Sequence, residues 1–394
     1  MNIVIATGIY PPDIGGPAIY SAALRMSFGL KGHKVIVVFY TDNAQIKHKG
    51  KPWHSSYPAD PVSRKKMLPL RYLDFVWKVF RCARGADVVY LQGPVSEGFP
   101  GTIGAMLARK PTVMKVVGDY AWEMYMQESG GDKMLLDEFV QADVGARRRR
   151  AHRKTIKIRL IERIERWTAK RAKQIIVPSE YLKTIVEQWG IPSEKIEVIY
   201  NAVDSISDFS VKTREEVRRG MGLDGKHVLS SVVRCIPWKR IDFIIRLLPK
   251  LPEDIHFVLA GDGPMLKNWK MLAEEIGVSS RIHFLGRVHQ LKVFEICRAA
   301  DLFVLPSGYE GFPHVIPEAA FEGLHSFVSD KGGNPEMLEI LGSDFVTVLP
   351  YLDEKAWLDA LQGEWPKRSA QNLPNVLTIQ SMVDRTESLL KQCI

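Results

Sequence analysis

The sequence predicts an α/β protein of two domains, each a parallel sheet wrapped by helices, on three observations. The chain has 394 residues, more than one ordinary core organises. Short apolar runs alternate with helix-period segments along its length, the pattern of parallel strands joined by helical crossovers. The alternation comes as two series, interrupted near Asp204–Lys212 by Ser, Asp and Thr. The expected domains are therefore 1–205 and 206–376, followed by a terminal helix within 377–394.

In the first series strands are expected at Asn2–Thr7, Lys34–Phe39, Asp87–Leu91, Thr112–Val117 and Gln174–Val177, with a helix over Ala18–Leu30 that Gly32 ends. The second series is more regular. Its strands are expected at His227–Val233, Ile255–Ala260, Arg281–Phe284, Asp301–Leu305, Ser326–Val328 and Phe345–Val348. Helices fit the gaps at Ile241–Leu248, Met265–Ile276, Leu291–Ala299 and Val315–Gly323. The last helix, about Leu377–Lys391, has no strand after it, and pattern alone does not say which domain it joins.

Composition narrows the class. Hydrophobic residues make up 46% and charged residues 25%, values of a globular chain. No run approaches the roughly 20 apolar residues that span a bilayer. The opening Asn2-Ile3-Val4-Ile5-Ala6-Thr7 reads as a strand and not as a signal peptide. Cys82, Cys235, Cys297 and Cys393 are scattered, without metal-ligand or disulfide spacing, so a cytoplasmic setting is expected.

The net charge of +9 is concentrated. Arg147–Lys173 holds thirteen Lys/Arg and two Glu, so the rest of the chain sums to −2. Within it Ile156, Leu160, Ile164 and Trp167 form one apolar stripe flanked by Arg159, Arg163, Arg166 and Lys170. The stripe is expected to pack on the first domain's sheet. The Arg147–Arg150 run is expected to give 147–173 peripheral contact with an anionic membrane, at its inner face. No nucleic-acid partner is expected, because no reader motif or interleaved aromatics accompany the charge.

Three constellations offer chemistry. The loop Tyr10–Pro17 joins the first strand to the first helix, and Gly15-Gly16 either brings backbone to a phosphate or makes an ordinary turn. Its spacing is not that of a dinucleotide fingerprint. Arg234 and Lys239, in Val233-Arg234-Cys235-Ile236-Pro237-Trp238-Lys239, follow the first strand of the second domain. Cations at a strand's carboxyl end can neutralise a diphosphate, or they are a solvated basic turn. Third, Tyr309-Glu310-Gly311-Phe312-Pro313-His314-Val315-Ile316-Pro317-Glu318 follows the strand at 301–305 and opens a helix. Glu318 could accept from both hydroxyls of a ribose and Glu310 could hold a sugar hydroxyl; alternatively both favour the helix dipole.

Glu310 and Glu318, bracketing seven residues, resemble the E-x7-E motif of the retaining GT-B glycosyltransferases of family 4, also called glycosyl transferases group 1. Further segments are similar in the same order: Val177-Pro178-Ser179-Glu180, Val198–Asp204, Leu259-Ala260-Gly261-Asp262-Gly263-Pro264, Phe284-Leu285-Gly286-Arg287-Val288 and Gly332-Gly333-Asn334-Pro335-Glu336. The resemblance implies a GT-B fold, two Rossmann-like domains facing across a cleft, with the last helix crossing back to the first. It implies that Arg234 and Lys239 bind the diphosphate, and that Glu310, Gly311 and Phe312 hold the donor sugar. Glu318 would take the ribose, and Gly286 to Val288 would face the base. Gly15 and Gly16 would approach the phosphates, and Pro313, His314 and Val315 would also bind the substrate. No metal or cofactor is implied. Many relatives carry a histidine after the strand corresponding to 112–117; here Val117-Gly118-Asp119-Tyr120-Ala121-Trp122 has none. Asp119 is expected to take a related polar role, with Tyr120 and Trp122 as a sugar-stacking wall; the alternative is a cap beside core aromatics.

The implied reaction moves a hexose-type sugar from UDP or GDP to a glycan or lipid-linked acceptor with retention, by front-face attack. Rival readings are a GT-B nucleotide-sugar epimerase, a phosphorylase, or a non-catalytic nucleotide-sugar-binding protein.

Overall fold

The computed structural model describes residues 1–13, 15–42, 59–129, 134–141, 154–203, 212–369 and 373–394. The Arg147–Arg150 run and nearly all of the interruption at 204–212 lie outside the described residues. The chain divides into two compact units, one of 1–125, 137–200 and 379–394, the other of 126–136 and 201–378.

The first unit is built on β1 (Asn2–Thr7), β2 (Lys34–Thr41), β3 (Ala59–Ser63), β4 (Val88–Leu91), β5 (Thr112–Lys115), β6 (Gln174–Val177) and β7 (Ile196–Val198). They form one parallel sheet in the order β3-β2-β1-β4-β5-β6-β7. Its helices are α1 (Gly16–Leu30), α2 (Leu68–Ala83), α3 (Gly98–Leu107), α4 (Tyr120–Glu128), α5 (Leu136–Gln141), α6 (Ile156–Arg171) and α7 (Glu180–Gln188), the ends of α4 and α5 nearest the 126–136 segment counting with the second unit. Strands covered on both faces read as unbroken apolar runs, and β1, β2 and β4 are buried almost throughout. Two strands were not expected. β3 reads Ala-Asp-Pro-Val-Ser, and Pro61, which cannot donate to a ladder, is tolerated because β3 is an edge strand. At the other edge, β7 has three residues, too few to show a period.

The second unit carries β8 (His227–Val232), β9 (Ile255–Ala260), β10 (Ile282–Gly286), β11 (Leu302–Leu305), β12 (Ser326–Ser329) and β13 (Val346–Leu349), all parallel, in the order β10-β9-β8-β11-β12-β13. Between and around them run α8 (Arg214–Gly220), α9 (Ile241–Leu247), α10 (Leu266–Glu275), α11 (Gln290–Ala299), α12 (Val315–Phe321), α13 (Asn334–Leu341) and α14 (Glu354–Gln362). The final helix, α15 (Ile379–Gln392), returns to the first unit, as the resemblance implied. There Glu387 receives Lys31 at 2.6 Å and His33 at 2.9 Å, and Met382, Val383 and Leu390 are buried.

In both sheets the strand order reverses beside the first strand, at β1/β4 and at β8/β11. Open α/β sheets bind ligands outside the strand carboxyl ends at such reversals. The loops after β1, β4, β8 and β11 are thus the places for a site.

One packing expectation is overturned. The apolar stripe of α6 faces outward: Ile156 is 87% exposed and Leu160 is 55% exposed, while Ile164 and Trp167 are half-buried. The inward face is Ile158, Glu162, Glu165, Thr168 and Ala169. These buried polar groups are all engaged. Lys154 Nζ donates to Glu162 at 2.6 Å, the Tyr120 amide donates to Glu165 at 3.0 Å, and Thr168 Oγ1 donates to the Pro94 carbonyl at 2.7 Å. Satisfied polar groups can line a core as apolar ones do, so periodicity alone did not give the inward side.

Candidate functional site

In the second unit the loop after β8 carries Arg234, then a short turn at Pro237–Lys239 leads into α9. The turn after β9 is pressed against it. A Cβ on Gly261 would stand 1.7 Å from the Val233 carbonyl oxygen, and one on Gly263 would stand 2.5 Å from that of Cys235. Only glycine permits this approach. The Cys235 amide donates to the Asp262 carbonyl and the Met265 amide to the Cys235 carbonyl, each at 2.9 Å. Leu259–Pro264 thus braces the loop that presents Arg234.

Arg234 is exposed and has no ion pair among the described residues. Lys239 differs. Its Nζ lies 2.5 and 2.7 Å from the two carboxylate oxygens of Glu310, and both side chains are largely buried. The sequence assigned these two residues to different parts of a donor; the structure joins them in one ion pair. The Gly308 amide, donating to the Trp238 carbonyl at 2.8 Å, ties the β11 loop to the β8 loop. From the other side Gly332, at φ 62°, lies so close that a Cβ would meet the Glu310 nitrogen at 2.5 Å. The Gly333 amide donates to the Glu310 carbonyl at 2.7 Å. Gly332-Gly333 therefore clamps the backbone of Glu310.

Glu318 is in the first turn of α12 and accepts from Gln290 Nε2 at 2.6 Å. Burial, opposed by that bond, pushes its carboxyl up to about 7. Gln290 opens α11 directly after the segment Gly286 to Val288, so one side chain links the expected base-facing loop to the expected ribose carboxylate. The sequence did not single out Gln290. Its signal was its place, first in a helix beyond a candidate loop. Gly286, at φ 64°, gives its carbonyl to the Gly261 amide at 2.7 Å. Gly311, Phe312 and Pro313 are buried, Val315 is half-buried, and His314 Nε2 lies 3.0 Å from Asn201 Nδ2.

In the first unit, Gly15 packs on Ile9, whereas a Cβ on Gly16 would meet nothing within 4 Å. A cavity of about 340 Å³ lies at the β1/β4 reversal, lined by Gly8, Tyr40, Arg64, Arg71, Tyr72 and Glu97 among others. Arg64 pairs with Asp13 at 2.5 Å, and the Arg71 guanidinium sits 5.5 Å from the Tyr40 ring centre. Glu97 is buried, which pushes its carboxyl up to about 7. Glycines make room for it: a Cβ on Gly93 would stand 2.6 Å from Glu97 Oε1. None of these cavity residues was identified from the sequence, although Gly93-Pro94-Val95-Ser96-Glu97-Gly98, following β4, offered glycines around an acid at a strand's carboxyl end.

Asp119 requires a correction. It is 2% exposed, and its carboxylate accepts from the Trp122 amide at 2.8 Å and from Trp189 Nε1 at 3.2 Å. This is the cap of α4 rather than a group presented to a sugar. Trp122 is fully buried, so of the expected aromatic wall only Tyr120 is exposed. Glu165 lies alongside, pushed well above the usual carboxylate range by burial and by the charge of Asp119. Among the described residues no group of three or more His, Cys, Asp or Glu could hold a metal ion.

Comparison with known proteins bears on both units. The family model "Glycosyltransferase Family 4" matches residues 14–205 and "Glycosyl transferases group 1" matches 213–361. An uncharacterized glycosyltransferase of Methanocaldococcus jannaschii is 30% identical over 203 residues, 49% of this chain and 51% of that protein. The GPI3 subunit of the phosphatidylinositol N-acetylglucosaminyltransferase of Saccharomyces cerevisiae is 29% identical over 167 residues, 42% of this chain and 37% of that protein. The chain thus spans about half the length, or less, of these curated relatives. A crystal structure of Anabaena HepE in complex with UDP and glucose superposes over 99% of both chains, with a TM-score of 0.73 at 19% identity. At that identity the likeness shows the fold, which is GT-B.

Proposed function

Starting from a GT-B chain related over both units to the glycosyltransferases of family 4 and group 1, we propose that it is a retaining hexosyltransferase. It takes its sugar from a nucleotide diphosphate, UDP or GDP, and gives it to a glycan or lipid-linked acceptor. The UDP in the HepE complex supports the uridine donor. The phosphatidylinositol named for the yeast relative supports a lipid-linked acceptor.

The observation that carries this reading is the cluster at the β8/β11 reversal. Arg234, exposed and without an ion pair among the described residues, stands in the loop that also brings Lys239 to Glu310, and Glu318 follows in the next helix. Arg234 meets the diphosphate and stabilises the charge that grows as it leaves. Lys239 holds Glu310 in place to take a donor-sugar hydroxyl. With its charge committed to Lys239, Glu310 is a poor nucleophile, which supports front-face transfer. The acceptor hydroxyl attacks on the face the diphosphate leaves, its proton passing to the departing phosphate oxygen. Catalysis then rests on charge stabilisation and positioning. The Glu97 cavity of the first unit is the place for the acceptor, where Arg71, which has no ion pair among the described residues, is suited to an acceptor bearing negative charge.

The test is a thermal-shift panel with UDP, GDP, ADP and NAD, run beside Glu318→Ala, followed by turnover of the matching nucleotide sugar. A nucleotide at 100 times its dissociation constant stabilises a fold by about 2.7 kcal/mol. One diphosphate that shifts the melt and loses its effect in Glu318→Ala supports the donor site. Sugar transfer separates a transferase from a non-catalytic binder or an epimerase. Silence from all three diphosphates, or a response to NAD alone, refutes it.

A further inference from the structure

The outer layer of the first unit carries exposed apolar stripes that the transfer reaction does not use. On α2, Leu70, Leu73 and Trp77 recur at i, i+3 and i+7, and all three are exposed, with Met67 and Leu68 extending the patch at the helix start. The opposite side of the helix buries Phe75, Val79 and Cys82. A surface helix ordinarily has one apolar side, turned to the core; α2 has two. On α6 the stripe through Ile156 and Leu160 is turned outward as well.

The two stripes belong to one surface. Ring centres of Tyr72 on α2 and Phe99 on α3 are 6.4 Å apart, and those of Phe99 and Trp167 on α6 are 5.7 Å apart. As crossovers of a parallel sheet these three helices run in the same direction, so the aromatic rung gives them a common level. Residues 67–70 of α2 and 156–160 of α6 lie on the N-terminal side of that rung. This is the side of the strand carboxyl ends and of the Glu97 cavity, which Arg71 and Tyr72 of α2 line.

The charge around this apolar surface is of one sign on α6. Lys157, Arg163, Lys170 and Arg171 are exposed, whereas the two acids of the helix, Glu162 and Glu165, are turned inward. Lys65 is exposed just before α2, next to Lys66, which pairs with Asp74 at 2.8 Å. Apolar side chains ringed by cations complement the headgroup and acyl boundary of an anionic bilayer. A second copy of the chain would instead bring two cationic rims together, which like-charge repulsion opposes. Among the described residues no helix is long and apolar enough to cross a membrane, so the contact is peripheral.

We propose that the outward stripe of α2 and the N-terminal part of α6 form a membrane seat, in which Leu70, Leu73, Trp77, Ile156 and Leu160 enter an anionic phospholipid surface. The seat stands independently of the transfer reaction. Combined with that reading, on which this consequence rests, it means that the acceptor enters the Glu97 cavity from the bilayer.

The test uses the full chain and sedimentation with vesicles of phosphatidylcholine alone or mixed with phosphatidylglycerol. The variants are Leu70→Gln/Leu73→Gln/Trp77→Gln and Ile156→Gln/Leu160→Gln; these positions are exposed, and unchanged melting checks that each variant is folded. The wild type binds the mixed vesicles, the triple variant binds about tenfold or more weakly, and brominated lipid quenches wild-type emission more than that of Trp77→Phe. Vesicle binding is read without any sugar donor, so its failure and the failure of the transferase reading are distinguishable. Absence of wild-type binding overturns the seat, as does wild-type binding by both variants or equal quenching of wild type and Trp77→Phe. A dimer that the triple variant abolishes, without vesicle binding, makes the face a self-association surface and also overturns it.

Discussion

The raised carboxyl of Glu318 makes the donor site readable by pH. In the unliganded protein it titrates at about 7, because burial outweighs the hydrogen bond from Gln290. A ribose donates hydroxyl protons, and the ionised carboxylate accepts them best. Nucleoside binding must therefore remove the proton wherever the free site holds one. Below pH 7 this costs about tenfold in affinity for each pH unit, or about 1.4 kcal/mol, and the cost vanishes above about pH 8. Stability of the free protein has the opposite slope. A carboxyl whose folded value is raised favours the protonated fold, a contribution fully present below the ordinary glutamate value near 4.5 and lost as pH rises through about 7. Titration calorimetry with uridine, which has no phosphate to titrate, in two buffers of different ionisation enthalpy counts the protons. The wild type releases about one proton per site at pH 6 and about none at pH 8. Glu318→Gln binds more weakly at pH 8, releases none, and shows no slope. A slope that survives in Glu318→Gln, or binding that tightens as pH falls, refutes the assignment of Glu318 to the ribose.

Other perturbations separate chemistry from architecture. Arg234→Ala lowers kcat on the order of 100-fold and leaves the melting temperature unchanged, because the side chain is exposed and has no ion pair among the described residues; near-normal turnover counts against the charge-stabilisation scheme. Gly332→Val places a branched side chain at φ 62° with its Cβ 2.5 Å from the Glu310 nitrogen. It destabilises the second unit by about 1–3 kcal/mol, measured by denaturant unfolding, and weakens donor binding by displacing Glu310. Ending the chain after Thr378 removes α15 and with it the buried Met382, Val383, Leu389 and Leu390. At about 1.5–3 kcal/mol for each buried side chain, the loss is comparable to a domain's whole stability. Calorimetry then shows an early transition for the first unit, while that of the second stays near its wild-type temperature.

The readable parts of the chain were those in which one residue suffices to state the constraint. Central strands announced themselves because both faces of a parallel sheet are covered, so Asn2–Thr7 and Ile255–Ala260 have the expected bounds. Glycines at loops were legible for a related reason: where backbone lies 1.7–2.5 Å from an imagined Cβ, as at Gly261, Gly263 and Gly332, no other residue fits. What stayed hidden was set by partners distant in sequence. Glu310 differs from any acid at a helix start only because Lys239, 71 positions away, faces it. Gln290 acquires significance from Glu318, and Glu97 from the cavity around it. Asp119 had the local composition of a site residue, and it was Trp189, 70 positions on, that completed its role in the interior.

The helix α6 shows why the same reasoning fails for orientation. An apolar stripe at helical spacing establishes that one side of a helix is oily, and burial of that side is favourable only if the other side has nothing better to place inside. Here the other side supplies Glu162 for Lys154, Glu165 for two amides of α4 and Thr168 for the Pro94 carbonyl. Leaving any of these buried partners unpaired costs about 1–3 kcal/mol, and more where charge is involved, so turning Ile156, Leu160, Ile164 and Trp167 inward would have to offset the loss of every one of these pairings at once. The stripe is consequently displaced to the surface, where α2 presents a second one. An inward face held by specific partners is thus what leaves a cationic, apolar outer face available for a membrane.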